Sequence, residues 1–217
     1  MSSGPFRFVF DLLFPLSCAG CGAEGTVLCA SCERRIVIRR VPHHPPHVAG
    51  LSAVYAATEY RDPLVASLVA RLKYDGVREA APILGAWCLR HLVYAGFAAT
   101  ATMLAVPVPL SKERLARRGF NQAELIAERV ARDLGIPVVP QALVRTRNTA
   151  PQTAVALRIE RVENVKGAFA VKDPSLVRGK IVLVVDDVTT TGATLSECAR
   201  ALKKAGAKEV IALAAAC

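Results

Sequence analysis

Aromatic residues are scarce in this chain of 217 residues, which contains one Trp, four Tyr and seven Phe. Proteins that bind single-stranded nucleic acid without sequence preference stack bases on aromatic rings, so the scarcity argues against a surface built for base stacking. Acidic residues are also few: 18 Asp and Glu stand against 28 Lys and Arg, which gives a net charge of +10. This balance favours anionic partners, either small phosphate compounds or a nucleic-acid backbone.

Long apolar runs are missing as well, because no stretch reaches transmembrane length without a Pro or a charged residue, although residues 92–110 are rather apolar. The N-terminus superficially resembles a lipoprotein leader that ends at Cys18. Asp11 interrupts its apolar run, however, and Pro15 stands where such a leader needs Leu. The apolar residues of 6–14 fall at helical spacing and indicate a short amphipathic helix. We therefore expect a cytoplasmic protein with no membrane span.

Cysteine spacing gives a strong signal. Two Cys-x-x-Cys pairs are separated by seven residues and consist of Cys18, Cys21, Cys29 and Cys32. Four thiolates delivered in two turns suit tetrahedral Zn²⁺. The alternatives are two disulfides, which need an oxidising compartment, or a redox pair, which would open a helix after a strand. The pattern favours a small N-terminal zinc ribbon in which Zn²⁺ is structural.

The chain is long enough for one α/β domain and a small appendage. We assign residues 1–40 to the amphipathic segment and ribbon, 41–50 to a linker with three Pro and three His, and 51–217 to the main domain. The three His could supply a second metal site, although a solvated linker is the simpler interpretation. Apolar runs of strand length alternate with helical stretches in the main domain, with strands expected at 51–58, 103–108, 181–185 and 210–214 and helices at 63–74, 79–94, 121–134 and 195–205. The alternation predicts a doubly wound, mainly parallel sheet.

Two adjacent carboxylates, Asp186 and Asp187, follow an apolar run at the point where a buried strand would end. A turn rich in hydroxyl groups comes next, and a helix follows it. Ligands of open parallel sheets bind beyond the carboxyl ends of the strands, and a helix N-terminus offers free N–H groups to a phosphate. A helix N-cap alone would explain a Thr, but not the paired carboxylates. We expect both carboxylates to be solvated in the empty site and nearly irrelevant to folding.

Positive charge is concentrated between residues 105 and 180, where 14 Lys and Arg face 7 Asp and Glu. A basic loop follows the strand expected at 103–108, and its cations are Lys112, Arg114, Arg117 and Arg118. These side chains are expected near the same sheet edge as the acidic pair, where their positive charge would favour an anionic ligand. A solvated helix face is the alternative, although a Gly and a Phe interrupt the charges.

Residues 182–195 read Val-Leu-Val-Val-Asp-Asp-Val-Thr-Thr-Thr-Gly-Ala-Thr-Leu and closely resemble the 5-phosphoribosyl-1-pyrophosphate (PRPP) motif of type I phosphoribosyltransferases. The resemblance implies that the two aspartates are the catalytic residues and hold the ribose 2′- and 3′-hydroxyls, while the turn wraps the 5′-phosphate. The PRPP-binding residues that it implies are Asp186, Asp187, Thr189, Thr190, Thr191, Gly192, Ala193 and Thr194.

Three further motifs extend the resemblance over nearly the whole chain. Residues 106–125 contain Val-Pro-Val-Pro and Arg-Arg-Gly-Phe-Asn-Gln, residues 72–76 read Leu-Lys-Tyr-Asp-Gly, and residues 149–153 read Thr-Ala-Pro-Gln-Thr. With the four-Cys ribbon, these motifs resemble the ComF family, also called the GntX-like group of phosphoribosyltransferases.

The family resemblance implies binding of PRPP with Mg²⁺ and transfer of the phosphoribosyl group to an unknown nitrogenous acceptor, with release of pyrophosphate. It implies an alternative as well. Members of the family are linked to DNA uptake in natural transformation and to gluconate utilisation. The protein would then be a non-catalytic adaptor that binds PRPP or a nucleotide and contacts single-stranded DNA or a helicase-like partner.

Overall fold

The computed structural model describes residues 16–43, 48–147 and 165–217. The amphipathic segment expected at 6–14 and part of the His-containing linker lie outside the described residues. The strands are, in chain order, β1 Ala53–Thr58, β2 Met103–Pro107, β3 Val144–Arg145, β4 Phe169–Ala170, β5 Ile181–Val188 and β6 Glu209–Ala216. The α-helices are α1 Ala30–Glu33, α2 Pro63–Ala70, α3 Ala80–Tyr94, α4 Lys112–Arg118, α5 Gln122–Leu134 and α6 Ala193–Lys204.

Four strands form one sheet in the order β1-β6-β5-β2, and every neighbouring pair is parallel. Strands β3 and β4 form a separate antiparallel pair. Helices α3 and α5 pack on one face of the large sheet, and α6 packs on the other. This arrangement confirms the predicted α/β fold with helices on both faces.

The side chains of β5 show why its sequence is apolar without alternation. Leu183 and Val185 point into the core shared with α3 and α5, whereas Val182 and Val184 point into the core beneath α6. All four are fully buried. A parallel strand covered on both faces has no solvated side, so a continuous Val/Leu run is what it requires.

The helix predicted at 63–74 is interrupted. Its α-helical part, α2, ends at Ala70, and a π-helical turn from Arg71–Asp75 follows before Gly76 closes the turn with φ +71°. The strand predicted at 181–185 is longer than expected, because Asp186 and Val188 continue to pair with β6. Both differences concern the edge of the sheet where the carboxylates were expected.

The four-cysteine segment packs against α2. The hydroxyl of Ser67 donates a hydrogen bond to the carbonyl of Ala19 at 3.3 Å, and the Arg71 guanidinium donates to the carbonyl of Ser17. Cys18 and Cys32 are buried in the same core as α2, α3 and α5. Across the described ranges, no helix has the length and apolarity needed to cross a membrane.

Candidate functional site

A cleft of about 300 Å³ opens beyond the carboxyl ends of β2 and β5. Three groups of side chains meet there: the acidic pair at the end of β5, the basic residues of α4 and the turn that follows α2. The charged and polar residues of its walls are Lys73, Tyr74, Arg114, Arg117, Arg118, Asn121, Gln122, Arg145, Asp186, Asp187 and Thr194. The site therefore lies at the sheet edge where ligands of open parallel sheets bind.

The two aspartates occupy different environments. Asp187 is 3% exposed, and its Oδ1 atom lies 2.9 Å from Nζ of Lys73. Its Oδ2 atom is buried and lacks a hydrogen-bond partner among the described residues. Asp186 is half-buried, and its Oδ1 atom accepts a hydrogen bond from the backbone N–H of Asp187 at 2.8 Å. The expectation that both carboxylates are solvated is therefore wrong for Asp187, because Lys73 covers it.

Ionisation separates the site further. Burial, together with the charge of Asp187, raises the pKa of Asp186 to about 7, although Lys73 and Arg145 oppose the shift. For Lys73 burial would lower the pKa, but the charges of Asp187 and Asp186 outweigh it and raise the pKa above its ordinary value. Near neutral pH Lys73 is therefore charged, while Asp186 is partly protonated.

The turn after β5 leads into the N-terminus of α6. Gly192 is the N-cap residue with φ +77°, so the N-cap position itself supplies no side-chain acceptor to the first turn of the helix. Thr191 accepts a weak hydrogen bond from the N–H of Ala193 through its hydroxyl, at 3.4 Å. Thr194 lines the cleft, whereas the turn residues Thr189, Thr190, Thr191, Gly192 and Ala193 lie beside it without forming its wall.

Helix α4 carries the basic residues over the cleft, and its presence was not predicted. The hydroxyl of Ser111 accepts the N–H of Arg114 at 3.3 Å and begins the helix, and Gly119 ends it with φ +77°. No residue of α4 is buried. Arg114, Arg117 and Arg118 line the cleft, but Lys112 does not.

Arg118 reaches deepest of these cations. Burial lowers its pKa, and its Nη1 atom is enclosed without a hydrogen-bond partner in the described structure. Its guanidinium lies 6.0 Å from the centre of the Tyr74 ring. A buried guanidinium nitrogen without a partner is a vacant donor for an anionic ligand.

Five of the charged and polar residues that line the cleft received no site role from the sequence. They are Lys73, Tyr74, Asn121, Gln122 and Arg145. Gln122, at the start of α5, is 5% exposed and has an unpartnered buried Oε1 atom within the described structure. Lys73 and Tyr74 belong to the Leu-Lys-Tyr-Asp-Gly motif, which could have marked them as site residues. The motif lies more than 100 residues from the aspartates in the sequence, so the contact between Lys73 and Asp187 was not predicted.

A second cluster consists of the four cysteines. Their Sγ atoms all lie within 4.8 Å of one another, and Cys21 Sγ is 3.7 Å from Cys29 Sγ. Tetrahedral zinc with sulfur ligands at about 2.3 Å would place sulfur atoms about 3.8 Å apart. Backbone N–H groups of Cys21, Cys29 and Gly20 lower the pKa of Cys18 to about 6, which favours the metal-binding thiolate. The four residues are thus close enough together to hold a metal ion, which is compatible with the predicted zinc ribbon.

Comparisons with known proteins agree with this architecture. The family profile described as "Phosphoribosyl transferase domain" matches residues 116–216. The DNA utilization protein YhgH of Escherichia coli K12 is 34% identical over 198 residues, covering 89% of this chain and 80% of that protein. Competence protein F of Haemophilus influenzae is 38% identical over 107 residues, covering 48% of this chain and 46% of that protein.

Competence protein ComFC of Bacillus subtilis is 37% identical over 101 residues, covering 46% of this chain and 38% of that protein. Among solved structures, glutamine PRPP amidotransferase from B. subtilis matches with a TM-score of 0.43 and 22% identity, covering 64% of this chain and 26% of that one. The match to YhgH covers most of both chains, and the competence relatives, the domain profile and the N-terminal cysteine cluster agree with it. The chain therefore belongs to the ComF family of proteins with a phosphoribosyltransferase fold.

Proposed function

We propose that the cleft binds PRPP, or a related phosphorylated ribose, and that the protein transfers the phosphoribosyl group to a nitrogenous acceptor. The observation that carries the proposal is the convergence of the Asp186–Asp187 pair and the arginines of α4 on one cleft. A phosphorylated sugar diphosphate presents hydroxyls on one side and concentrated negative charge on the other. An acidic wall opposite a basic wall matches both features.

The acidic wall is proposed to hold the ribose. Oδ2 of Asp187 is buried without a partner in the described structure, so a ribose hydroxyl that donates to it would remove an unsatisfied acceptor. Asp186 is the proposed acceptor for the neighbouring hydroxyl. In a cleft of this size both hydroxyls of one ribose can reach adjacent carboxylates.

The turn from Thr189 to Thr194 is proposed to hold the 5′-phosphate. Gly192 at the N-cap of α6 has no side chain, and the N–H of Ala193 makes only a weak hydrogen bond to the Thr191 hydroxyl, so the N–H groups of the first turn can donate to a phosphate. Thr194 at the cleft wall adds a hydroxyl. The helix dipole, whose positive end faces the turn, would favour the same ligand.

The basic wall is proposed to hold the pyrophosphate. Arg114, Arg117 and Arg118 line it, and the unpartnered Nη1 atom of Arg118 is directed at no protein acceptor in the described structure. Pyrophosphate leaves with several negative charges, so cations fixed beside it stabilise the transition state more than the ground state. Lys112 does not line the cleft, so its proposed contribution is to the positive electrostatic potential around it.

Mg²⁺ is the expected cofactor of such a ligand. Its preferred protein ligands are one or two carboxylates, with the remaining positions filled by water and substrate oxygens. Asp186 and Asp187 supply carboxylate oxygens at the cleft, so the residues fit the ion. When bound, Mg²⁺ would neutralise charge on the diphosphate.

The proposed reaction needs no protein nucleophile. The acceptor nitrogen forms a bond to C1 of the ribose, the bond from C1 to the pyrophosphate oxygen breaks, and the acceptor loses its proton. The residues of this chain contribute by orienting the ribose and by stabilising the departing anion. The nature of the acceptor is left open by the proposal.

The cysteine cluster is proposed to hold one structural Zn²⁺. The Sγ spacing of Cys18, Cys21, Cys29 and Cys32 suits zinc, and all four thiols are free rather than paired in disulfides. Free thiols and thiolate-bound zinc are typical of a reducing compartment. On this basis we also propose a cytoplasmic location.

A second candidate function is supported by the names of the relatives and by the exposed basic helix. Relatives are named for competence and DNA utilization, and α4 presents its cations without burying any residue. The protein would then act in DNA uptake as an adaptor that binds PRPP or a nucleotide and contacts single-stranded DNA or a helicase-like partner.

Calorimetric titration with PRPP and Mg²⁺, followed by a pyrophosphate-release assay with a panel of nucleobases, tests the proposal. PRPP binding with pyrophosphate release supports the enzyme. Binding without release from any base, combined with DNA binding that weakens steeply with salt, supports the adaptor. If PRPP does not bind at all, the proposed site is wrong.

A further inference from the structure

Lys73 lies in the π-helical turn after α2, on the side of the cleft that faces the end of β5. Its Nζ atom forms an ion pair of 2.9 Å with Oδ1 of Asp187, and the two side chains are 20% and 5% exposed. Ion pairs on the protein surface contribute little to stability, because water and salt screen them. A pair withdrawn from water is screened less, and removing either partner leaves the other charge without compensation.

The pairing uses only one oxygen of the carboxylate. Oδ2 of Asp187 is buried and finds no hydrogen-bond partner in the described parts of the chain. Buried polar atoms in folded proteins nearly always have hydrogen-bond partners. A buried atom without one at the wall of a cleft indicates that a ligand supplies the missing hydrogen bond. The missing partner of Oδ2 is a donor, such as a hydroxyl.

The backbone of the turn explains why Lys73 holds this position. Leu72 beside it is fully buried in the core, and Arg71 is tied to the carbonyl of Ser17. The five residues of Arg71–Asp75 are π-helical, which shifts the side chains relative to a continued α-helix. Gly76 closes the turn with φ +71°, a conformation that other residues rarely adopt.

We propose that Lys73 is a positioning residue: by holding Oδ1 of Asp187 it directs Oδ2 of the same carboxylate towards a ribose hydroxyl of the ligand. The inference rests on the proposed function, since it concerns the same ligand. It assigns Lys73 to the sugar side of the cleft and not to the phosphates. The positive charge of Lys73 also offsets the negative charge of Asp187.

The variant Lys73→Met tests the proposal, with Lys208→Met as the matched control. Lys208 is exposed between α6 and β6 and does not line the cleft. Affinities for PRPP and for pyrophosphate alone are measured by calorimetry in Mg²⁺. We expect Lys73→Met to weaken PRPP about ten- to a hundredfold, as expected for a disturbed charge-assisted hydrogen bond, and to leave pyrophosphate binding unchanged. Lys208→Met is expected to change neither affinity.

Two further variants separate a positioning role from a general effect on folding. Lys73→Arg, which keeps the charge, is expected to recover most of the PRPP affinity. Lys73→Gln keeps a hydrogen-bond donor and is expected to lose less affinity than Lys73→Met, so it provides the comparison if the Met variant is unstable. In an Asp187→Asn background, Lys73→Met is expected to cause little further loss, because both changes disturb one interaction.

Three results would overturn the inference. Equal losses for PRPP and pyrophosphate would mean that Lys73 contacts the phosphates directly. PRPP affinity in Lys73→Met equal to that of the parent would mean that Asp187 needs no such partner. If the parent itself does not bind PRPP, the proposed function fails first and this inference fails with it, so the two failures are distinguished by the parent titration.

Discussion

At the scale of single residues, Asp186 and Asp187 show how the same side chain acquires two characters. Asp187 is buried against Lys73, whereas Asp186 lacks a cation at ion-pair distance within the described structure and has its pKa raised to about 7, chiefly by burial. Like charges at adjacent positions repel, so one of the two carboxyls takes up protons more readily. The fold therefore tolerates the pair because one member is neutralised by an ion pair and the other by a proton near neutral pH.

Asp186→Asn is expected to stabilise the protein at neutral and alkaline pH. The pKa of Asp186 is higher in the folded protein than in the unfolded chain, so its contribution to stability is fully present below about pH 4 and is lost as pH rises to about 7. Removing the charge should raise the free energy of unfolding by about 1–2 kcal/mol above pH 7, which corresponds to an increase of a few degrees in Tm. Thermal melts from pH 4 to 8 check this, and a Tm difference that grows towards pH 4 would contradict it.

Asp187→Asn is expected to have the opposite effect on stability. It leaves the largely buried ammonium of Lys73 without its partner, and breaking such pairs destabilises proteins strongly. We expect a loss of about 2 kcal/mol or more in the free energy of unfolding, measured by urea denaturation at pH 7. The adjacent Asp186→Asn serves as the control of equal chemistry. Equal stability of the two variants would show that the Lys73 pair contributes nothing.

At the scale of elements, apolar periodicity was sufficient to predict the sheet and most helices. The run before Asp186 gave β5 because a strand buried on both faces has no polar side, and the apolar stripe of 121–134 gave α5, which begins at Gln122. Helix α4 was not predicted, because it buries no residue and therefore has no apolar stripe. The π-helical turn was missed because periodicity does not distinguish it from a continuing α-helix.

The candidate site was predictable only where its chemistry is local in sequence. The acidic pair and the turn to Thr194 are contiguous, and the arginines of α4 follow a predicted strand. Lys73 is brought to Asp187 by tertiary packing across more than 100 residues, and no spacing rule reports such a contact. The same limit applies to Gln122, whose buried Oε1 atom is visible only in the folded chain.

The exposure of α4 predicts that its cations are needed for ligands and not for folding. Replacing Arg114, Arg117 and Arg118 together by Ala should change the free energy of unfolding by less than about 1 kcal/mol, because α4 has no buried residue. PRPP affinity should fall sharply. The exposed Arg132→Ala on α5 is the control. If the triple variant instead mainly reduces DNA affinity and flattens its salt dependence, by about one unit of slope per lost contact, the adaptor function is favoured.

At the scale of the whole molecule, the cysteine segment and the cleft are connected by one helix. Ser67 and Arg71 of α2 and its π-helical extension bind the carbonyls of Ala19 and Ser17, which flank Cys18. Lys73 follows Arg71 by two residues and pairs with Asp187. Residues 16–43 therefore support the element that carries Lys73, although none of these described residues lines the cleft.

Loss of metal from the cysteine site should consequently weaken ligand binding at a distance. A Cys29→Ser, Cys32→Ser variant is expected to contain little zinc by metal analysis, since two of four ligands are gone. The parallel sheet should remain folded by circular dichroism, because its strands pair without help from residues 16–43 apart from the edge contact along β1. PRPP affinity should fall, since the turn that holds Lys73 loses its support.

Cys217→Ser is the control, because Cys217 lies outside the cysteine cluster. Adding Lys73→Met to the double Cys variant distinguishes the route of the effect. If the ribbon acts through the Lys73 turn, the two sets of changes disturb the same contact, and the combined loss of affinity should be smaller than the product of the separate losses. Independent, multiplicative losses would show that zinc supports the fold generally. Unchanged PRPP affinity in the metal-free variant would show that the ribbon and the cleft work separately, and that the contacts of Ser17 and Ala19 with α2 serve packing alone.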